Sequence, residues 1–349
     1  MKTARRAFTL IEAMVVMAIA GIVAVAATMT MSLVLRTMSS TRAAIAVDNA
    51  MGQTVQFMSK DIENAGGNGM RGQASVIVDN DNCASRDDIP ACGGTDRVTI
   101  FSALPDSPVC AVRQGSRAKA LSFQYVQGGC CFPSQVSLPS SPPSPTPTTS
   151  TVQGLVMLEN KRGGFRPVRV SGIAGAVCEF DVVDLLSSDH YLNDPTPSVH
   201  TATGVDEFDP FFDGTATLVQ MRTFFVDPVE HELRVKDGVA AGSLLLADHV
   251  HDLQIAIGHD LDGDGLVADS EFAWRNSAVP AATSFVQRLH APREVLLSIV
   301  QGHPEASKPD TVTSPLRPLA TATITSPGEA LRTGFVRLVP YNAVFGSTP

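Results

Sequence analysis

Residues 8–35 form a predominantly apolar run of 28 residues with a single charge, Glu12, and no other feature restricts this 349-residue chain as tightly. As a helix the run would be about 42 Å long at ~1.5 Å per residue, more than the ~30 Å of a bilayer's hydrocarbon core. Lys2, Arg5 and Arg6 stand on its short leading flank. Basic residues there hold that end in the cytoplasm and put the rest of the chain outside. A carboxylate five residues into such a span is costly, so Glu12 asks for a partner cation. The competing reading is an ordinary secretory signal cut after Ala24-Val25-Ala26, a small-x-small site. Against it, Glu12 would interrupt the apolar region, and the run continues beyond that cut.

Beyond Arg36 the chain stays free of proline, and Ala44, Val47, Met51, Val55, Met58 and Ile62 recur at spacings of three and four. That is one face of an amphipathic helix. Gly66 and Gly67 then end it. The spacing predicts one helix over residues 8–65, apolar all round in its first half and striped in its second. A single stripe needs one covering surface, which a β-sheet supplies. The short extent of the stripe argues against a permanent anchor with a coiled-coil stalk.

The remainder, residues 67–349, reads as one β-rich head. Residues 67–152 are rich in Gly, Asn, Cys and Asp, with short apolar runs at 98–101 and 120–126, which predicts strands between long stapled loops. Residues 133–151 are mostly Pro, Ser and Thr and predict an extended exposed loop. Residues 217–226 and 232–235 predict a hairpin around Asp227-Pro228, and 253–257, 295–300 and 335–339 predict further strands. The fold class is therefore α+β, a long helix packed on a mainly antiparallel sheet.

Six cysteines, Cys83, Cys92, Cys110, Cys130, Cys131 and Cys178, contain no C-x-x-C pair of the zinc or thioredoxin kind. With the membrane-inserting segment they predict disulfides formed outside the cytoplasm. Cys83 with Cys92 is the preferred local bridge, and the other four leave their pairing open. The alternative is buried free thiols acting as small hydrophobes.

Residues 260–271, Asp-Leu-Asp-Gly-Asp-Gly-Leu-Val-Ala-Asp-Ser-Glu, match the twelve-residue EF-hand calcium loop at its diagnostic positions. Asp260, Asp262 and Asp264 would give side-chain oxygens, Leu266 its carbonyl and Glu271 both carboxylate oxygens, with Gly265 allowing the sharp turn. Ala268, in the ninth place, leaves that position to water. The preceding segment is strand-like, so the loop predicts a structural Ca²⁺ site, not a sensor that opens a groove. A solvated acidic turn without an ion is the alternative.

Other chemistry is sparse. His231-Glu232 lacks the second His of H-E-x-x-H, and no G-x-S-x-G elbow occurs. Residues 67–72 satisfy G-x-G-x-x-G but follow a helix and open none, so a dinucleotide site fails on context. His249, His251 and His259 read as strand-surface residues, and Trp274 as core. A net charge of -9 argues against nucleic acid as a partner. No catalytic constellation emerges, and the expectation is that the chain is not an enzyme.

Arg6-Ala7-Phe8-Thr9-Leu10-Ile11-Glu12 resembles the type III signal of type IV prepilins and pseudopilins. The resemblance implies a leader of residues 1–7, cut between Ala7 and Phe8 by a prepilin peptidase that methylates the new Phe8 amine. Family members usually carry Gly where this chain has Ala7. Residues 8–35 would then be the membrane and filament-core half of the helix, and 36–66 the amphipathic half. Glu12, fifth in the mature chain, would pair with the N-terminal amine of a neighbouring subunit. Gly21 falls where major pilins often have Gly, while Met29 replaces a common Pro. Asp61-Ile62-Glu63-Asn64-Ala65-Gly66, a Phe-rich strand, Glu232-Leu233-Arg234-Val235 and Val250-His251-Asp252-Leu253-Gln254-Ile255 before an acidic loop are similar to PilW-type minor pilins.

That resemblance implies a minor pilin that initiates or caps a type IV pilus, in support of motility, adhesion or DNA uptake. Its partners would be other minor pilins, the major pilin, the inner-membrane platform and a PilC/PilY-type tip adhesin. The expected location is the bacterial inner membrane with the head in the periplasm, and then the pilus surface. Two alternatives remain open at this point: a J-type minor pseudopilin of a type II secretion system, and a membrane-anchored calcium-binding adhesin.

Overall fold

The computed structural model describes residues 10–67, 75–79, 85, 89–104, 107–115, 120–125, 129, 131–132, 151–159, 165–173, 178–185, 212–238, 242–258, 260, 264, 266–268, 271–273, 293–304, 310–316, 323–326 and 329–340. It opens on α1 (Leu10–Glu63), one helix of 54 residues, about 80 Å long at ~1.5 Å per residue. Nothing in that stretch breaks it. Proline is absent, and Gly21 and Gly52 sit in open space. The hydroxyls of Thr28, Thr30, Ser32 and Thr37 each bond a carbonyl three or four residues earlier, at 2.8 to 2.9 Å. The helix ends where expected, with Gly66 (φ 89°) and Gly67 (φ 37°) in the left-handed region.

Sixteen strands follow among the described residues: β1 (Val76–Asp79), β2 (Arg97–Ala103), β3 (Cys110–Gln114), β4 (Ala120–Gln124), β5 (Thr151–Glu159), β6 (Phe165–Ile173), β7 (Glu179–Leu185), β8 (Thr215–Asp227), β9 (Glu232–Asp237), β10 (Leu244–Ala247), β11 (Val250–Gly258), β12 (Phe272–Ala273), β13 (Glu294–His303), β14 (Asp310–Thr313), β15 (Thr323–Ser326) and β16 (Ala330–Leu338). Strand pairing is antiparallel throughout these strands. The predicted antiparallel sheet and the predicted hairpin around Asp227-Pro228 are both present, the latter as β8 and β9.

The long strand β8 belongs to two structures at once. Its second half pairs β2 and β9, extending the row β1-β2-β8-β9-β10. Its first half closes a ring β8-β3-β4-β7-β6-β5 in which β5 returns to β8, a six-stranded antiparallel barrel. Inside lie Cys110 and Val112, Leu121 and Phe123, Val156 and Leu158, Val168 and Val170, and Ala216 and Leu218. Each pair is two residues apart, so each strand sends alternate side chains inward. Phe123, Phe132 and Phe180 meet at centroid distances of 5.0 to 6.2 Å within this core. The strands expected of the Cys-rich stretch therefore supply walls of a barrel, a closure the sequence did not predict. Closure also removes the exposed sheet edges that short strands would present.

A second sheet, β12-β11-β13-β16, and the β1-β2-β8-β9-β10 row enclose one core with the end of α1. Met58, Ile62 and Ala65 from the helix meet Val98, Ile100, Phe224, Leu233, Leu253, Val295, Leu297 and Ile299 there. Backbone bonds from Asp96 to Leu253 (2.7 Å) and from Ile255 to the Asp96 carboxylate (2.7 Å) tie the two sheets together. Residues 133–150 of the predicted Pro-rich loop lie outside the described residues, and Thr151 begins β5.

Candidate functional site: the stem helix and its seat in the head

The first half of α1 is apolar and bare. Leu10, Met17, Ile22, Met29 and Leu33 are all exposed, Leu10 by 81%. One helix long and apolar enough to cross a membrane lies here, and none of its most apolar window is buried against the rest of the chain. The hydroxyls of Thr28, Thr30, Ser32 and Thr37 bond their own helix, so these four do not depend on water. Such a surface suits lipid or other helices. Glu12 is exposed in the first turn. Ala7 and Phe8 lie outside the described residues.

The second half is seated. Ala43, Val47, Met58 and Ile62 are buried and Met51 and Val55 half-buried, close to the predicted stripe. The seat on β16 depends on Gly334: a Cβ there would stand 2.9 Å from the Met51 sulfur and 3.4 Å from Val55. Asp61 receives both of its oxygens' bonds from the Arg222 guanidinium, at 2.9 and 3.0 Å, fixing the last turn of α1 to β8. Burial works against the Arg222 charge, but Asp61 and then Asp237 outweigh it and hold the guanidinium above its usual pKa. This clamp escaped the sequence, where Asp61 belonged only to a helix-closing motif. Its partner is 161 residues away.

The acidic loop begins just after β11 and ends at β12. Gly258 pairs Phe272 across the two strands, so Asp260 and Glu271, each 7% exposed, lie near the paired base of the loop. Gly258 has no room for a side chain, since a Cβ would meet Val267 at 2.6 Å and Phe272 at 2.7 Å. The Leu266 N–H bonds Asp264 and the Ala268 N–H bonds Glu271, both at 2.8 Å. A carboxylate oxygen has two lone pairs, so these bonds are compatible with a cation. The donors are all oxygen, as Ca²⁺ prefers, and two of the carboxylates are already desolvated. Asp262 and Gly265 lie outside the described residues. Among the described residues no group of three His, Cys, Asp or Glu is arranged to hold a metal.

Cys110 and Cys131 form a disulfide in the barrel interior, both fully buried. Cys92 and Cys178 are also disulfide-bonded. Cys83 and Cys130 lie outside the described residues, and with Cys83 the expected Cys83–Cys92 pair. No described cysteine is free.

His249 and His251 are not simple strand-surface residues. Both rings bond the Glu329 carboxylate, that of His249 at 2.6 Å. The His231 ring lies 4.7 Å from that of His251. The spacing of His249 and His251 on alternate positions was visible in the sequence, but Glu329, some 80 residues on, was not. His259 and Trp274 lie outside the described residues.

Comparison with known families matches residues 2–28 to the prokaryotic N-terminal methylation motif. That is the type IV prepilin signal, and it covers most of the segment read above as leader and first half of the helix. A search of curated proteins finds no match. Among solved structures, a type IV-like pilin from Thermus thermophilus is similar at 9% identity and a TM-score of 0.21, over 55% of this chain and 85% of that one. That superposition is too loose to bear on the head.

Proposed function

We propose that the chain is a prepilin that matures into a PilW-like minor pilin of a type IV pilus, with a structural and assembly role and no catalytic one. The observation that carries this is the methylation motif over residues 2–28 running directly into a helix whose apolar half is bare and whose other half is seated in the head. In the membrane the bare half is covered by lipid. In a filament it is covered by the equivalent helices of other pilins, and Glu12 meets the amine of a neighbouring subunit. Cleavage between Ala7 and Phe8 by a prepilin peptidase precedes both roles.

The head suits a place at the tip better than one repeated along a shaft. A barrel fused to the sheet through β8 adds bulk that each neighbouring subunit of a shaft would have to accommodate. Initiating or capping partners are other minor pilins, the major pilin, the assembly platform and a PilC/PilY-type adhesin. The acidic loop carries a structural Ca²⁺ in this reading, held by Asp260, Asp262, Asp264, the Leu266 carbonyl and Glu271. When bound, the ion would supply positive charge that offsets the repulsion of these carboxylates.

The test is mass spectrometry of sheared pili from the native host, wild type against Glu12→Ala. The expected result is the wild-type protein in the sheared fraction at well below the major pilin, and the variant retained in the membrane at normal amount. Wild-type protein confined to the membrane while pili are abundant would overturn the proposal. A deletion that blocks protein secretion and leaves pili intact would assign the chain to a J-type pseudopilin instead.

A further inference from the structure

At one end of the head, four titratable side chains from separate elements converge. His231 lies in the β8–β9 turn, His249 in the β10–β11 turn and His251 on β11. Glu329 lies just before β16, and its two oxygens are divided between His249 Nδ1 (2.6 Å) and His251 Nε2. The Ser326 hydroxyl of β15 donates to the same Oε2 at 2.7 Å. Two members are largely enclosed, the His251 side chain 12% exposed and that of Glu329 15%, while His249 is partly exposed and His231 lies at the surface. A Cβ on Gly302 of β13 would stand 2.7 Å from Glu329 and 3.1 Å from His251.

The backbone around the cluster is held in an uncommon conformation. His231 (φ 55°) and His249 (φ 54°) both adopt the left-handed region, which costs free energy for a side-chain-bearing residue. Each offers its carbonyl across the cluster: Val250 N–H bonds His231 and Gly302 N–H bonds His249, both at 2.7 Å. Closure thus joins the β8–β9 hairpin to β11 and the β10–β11 turn to β13. β13 and β16 are also the strands that seat α1.

We propose that His231, His249, His251 and Glu329 form a pH-sensitive latch, closed near neutral pH and released in mild acid, that fastens these turns to the strands beneath α1. When all three imidazoles are neutral, one ionised carboxylate accepts a ring N–H from each of two of them and a hydroxyl as well. Those donors satisfy it without further charge. A first proton on the trio can be balanced by Glu329; a second would have no counter-charge among these four groups. Other titratable groups at this end, among the described residues, include His303 at the end of β13, opposite Ala330, and Asp227, Glu230 and Asp248 in or beside the adjoining turns.

The electrostatics agree in sign. Burial lowers the His251 pKa, helped by His231 and His249, and outweighs the opposing attraction of Glu329. Burial raises the Glu329 pKa, but the bonds from Ser326, His249 and His251 win and it ends lower than usual. Both groups therefore bind protons less well closed than open. Their contribution to closure is present above the ordinary imidazole range, near ~6.5, and is lost as pH falls toward the lowered values, with Glu329 following below ~4.3.

The test is hydrogen–deuterium exchange of the full chain in detergent at pH 7.5 and 5.5, corrected for intrinsic rates, on wild type and Glu329→Gln. The Val250 and Gly302 amides report the latch directly. Exchange there should be faster at pH 5.5 than at pH 7.5 in the wild type after that correction. In the variant it should be fast at both pH values, while β5 and β6 stay protected throughout. A pH-independent wild type, or a variant with the wild-type response, overturns the latch. Should the variant not fold, NMR titration of the wild-type rings decides: a His251 ring that protonates at or above ~6.5 refutes it, and one that protonates below supports it.

Discussion

Replacing Cys110 and Cys131 together by alanine opens a link between residues 21 apart in sequence that lies in the barrel interior. The loop-closure entropy returned to the unfolded chain is worth about 3 kcal/mol for a loop of that length. At roughly 1.4 kcal/mol per factor of ten, this multiplies the open population of the barrel by about a hundred. The effect should stay local, because the barrel interior and the core under α1 are separate clusters joined through β8. Hydrogen–deuterium exchange of the full chain in detergent reads both regions at once. Amides of β4 and β7 should exchange about a hundredfold faster, and those of β13 and β16 by less than about threefold. Equal acceleration in both regions would refute the division into two cores. Acceleration of β4 and β7 by less than about threefold would refute the stabilising role of the disulfide.

Further outcomes follow from the seat and the loop. Ile62→Ala, at a fully buried position, should lower unfolding free energy by about 2–5 kcal/mol in urea titration. Gly334→Val should lower it by about 1–3 kcal/mol by pushing α1 off β16, and the effect should shrink in a Met51→Ala background. Asp61→Ala should cost about 1–2 kcal/mol, discounted for the partly exposed Arg222, and a double-mutant cycle with Arg222→Ala should show that the two are coupled. Chelation of Ca²⁺ should lower Tm and loosen β12, with a shift equivalent to about 2.7 kcal/mol at a hundredfold excess of ion over Kd. Glu271→Gln should abolish that response.

What the sequence made legible was whatever repeats locally. The helix from the apolar run to Gly66 was readable because spacings of three and four persist for several turns, and two glycines end them. The strands β2, β4, β8, β9, β11, β13 and β16 were readable from short apolar or alternating runs. The barrel was not. Strands such as β3, β6 and β7 interleave charged and apolar residues over only five to nine positions, and closure depends on β5 returning to β8 across some 60 residues. Local alternation has no term for that pairing. The same limit hid the Asp61–Arg222 clamp and the Glu329 side of the histidine cluster, since each joins residues far apart in sequence. The N-terminal methylation motif was legible for the opposite reason, as a pattern read in order along the chain.

In the proposed maturation residues 1–7 are removed and Phe8 becomes a methylated N-terminus. Purifying the protein from its native host's membranes and determining the mature N-terminus by intact and peptide mass spectrometry tests it most directly. N-methylated Phe8 is the expected result, and an N-terminus at Ala27 or a retained Met1 would overturn the prepilin reading.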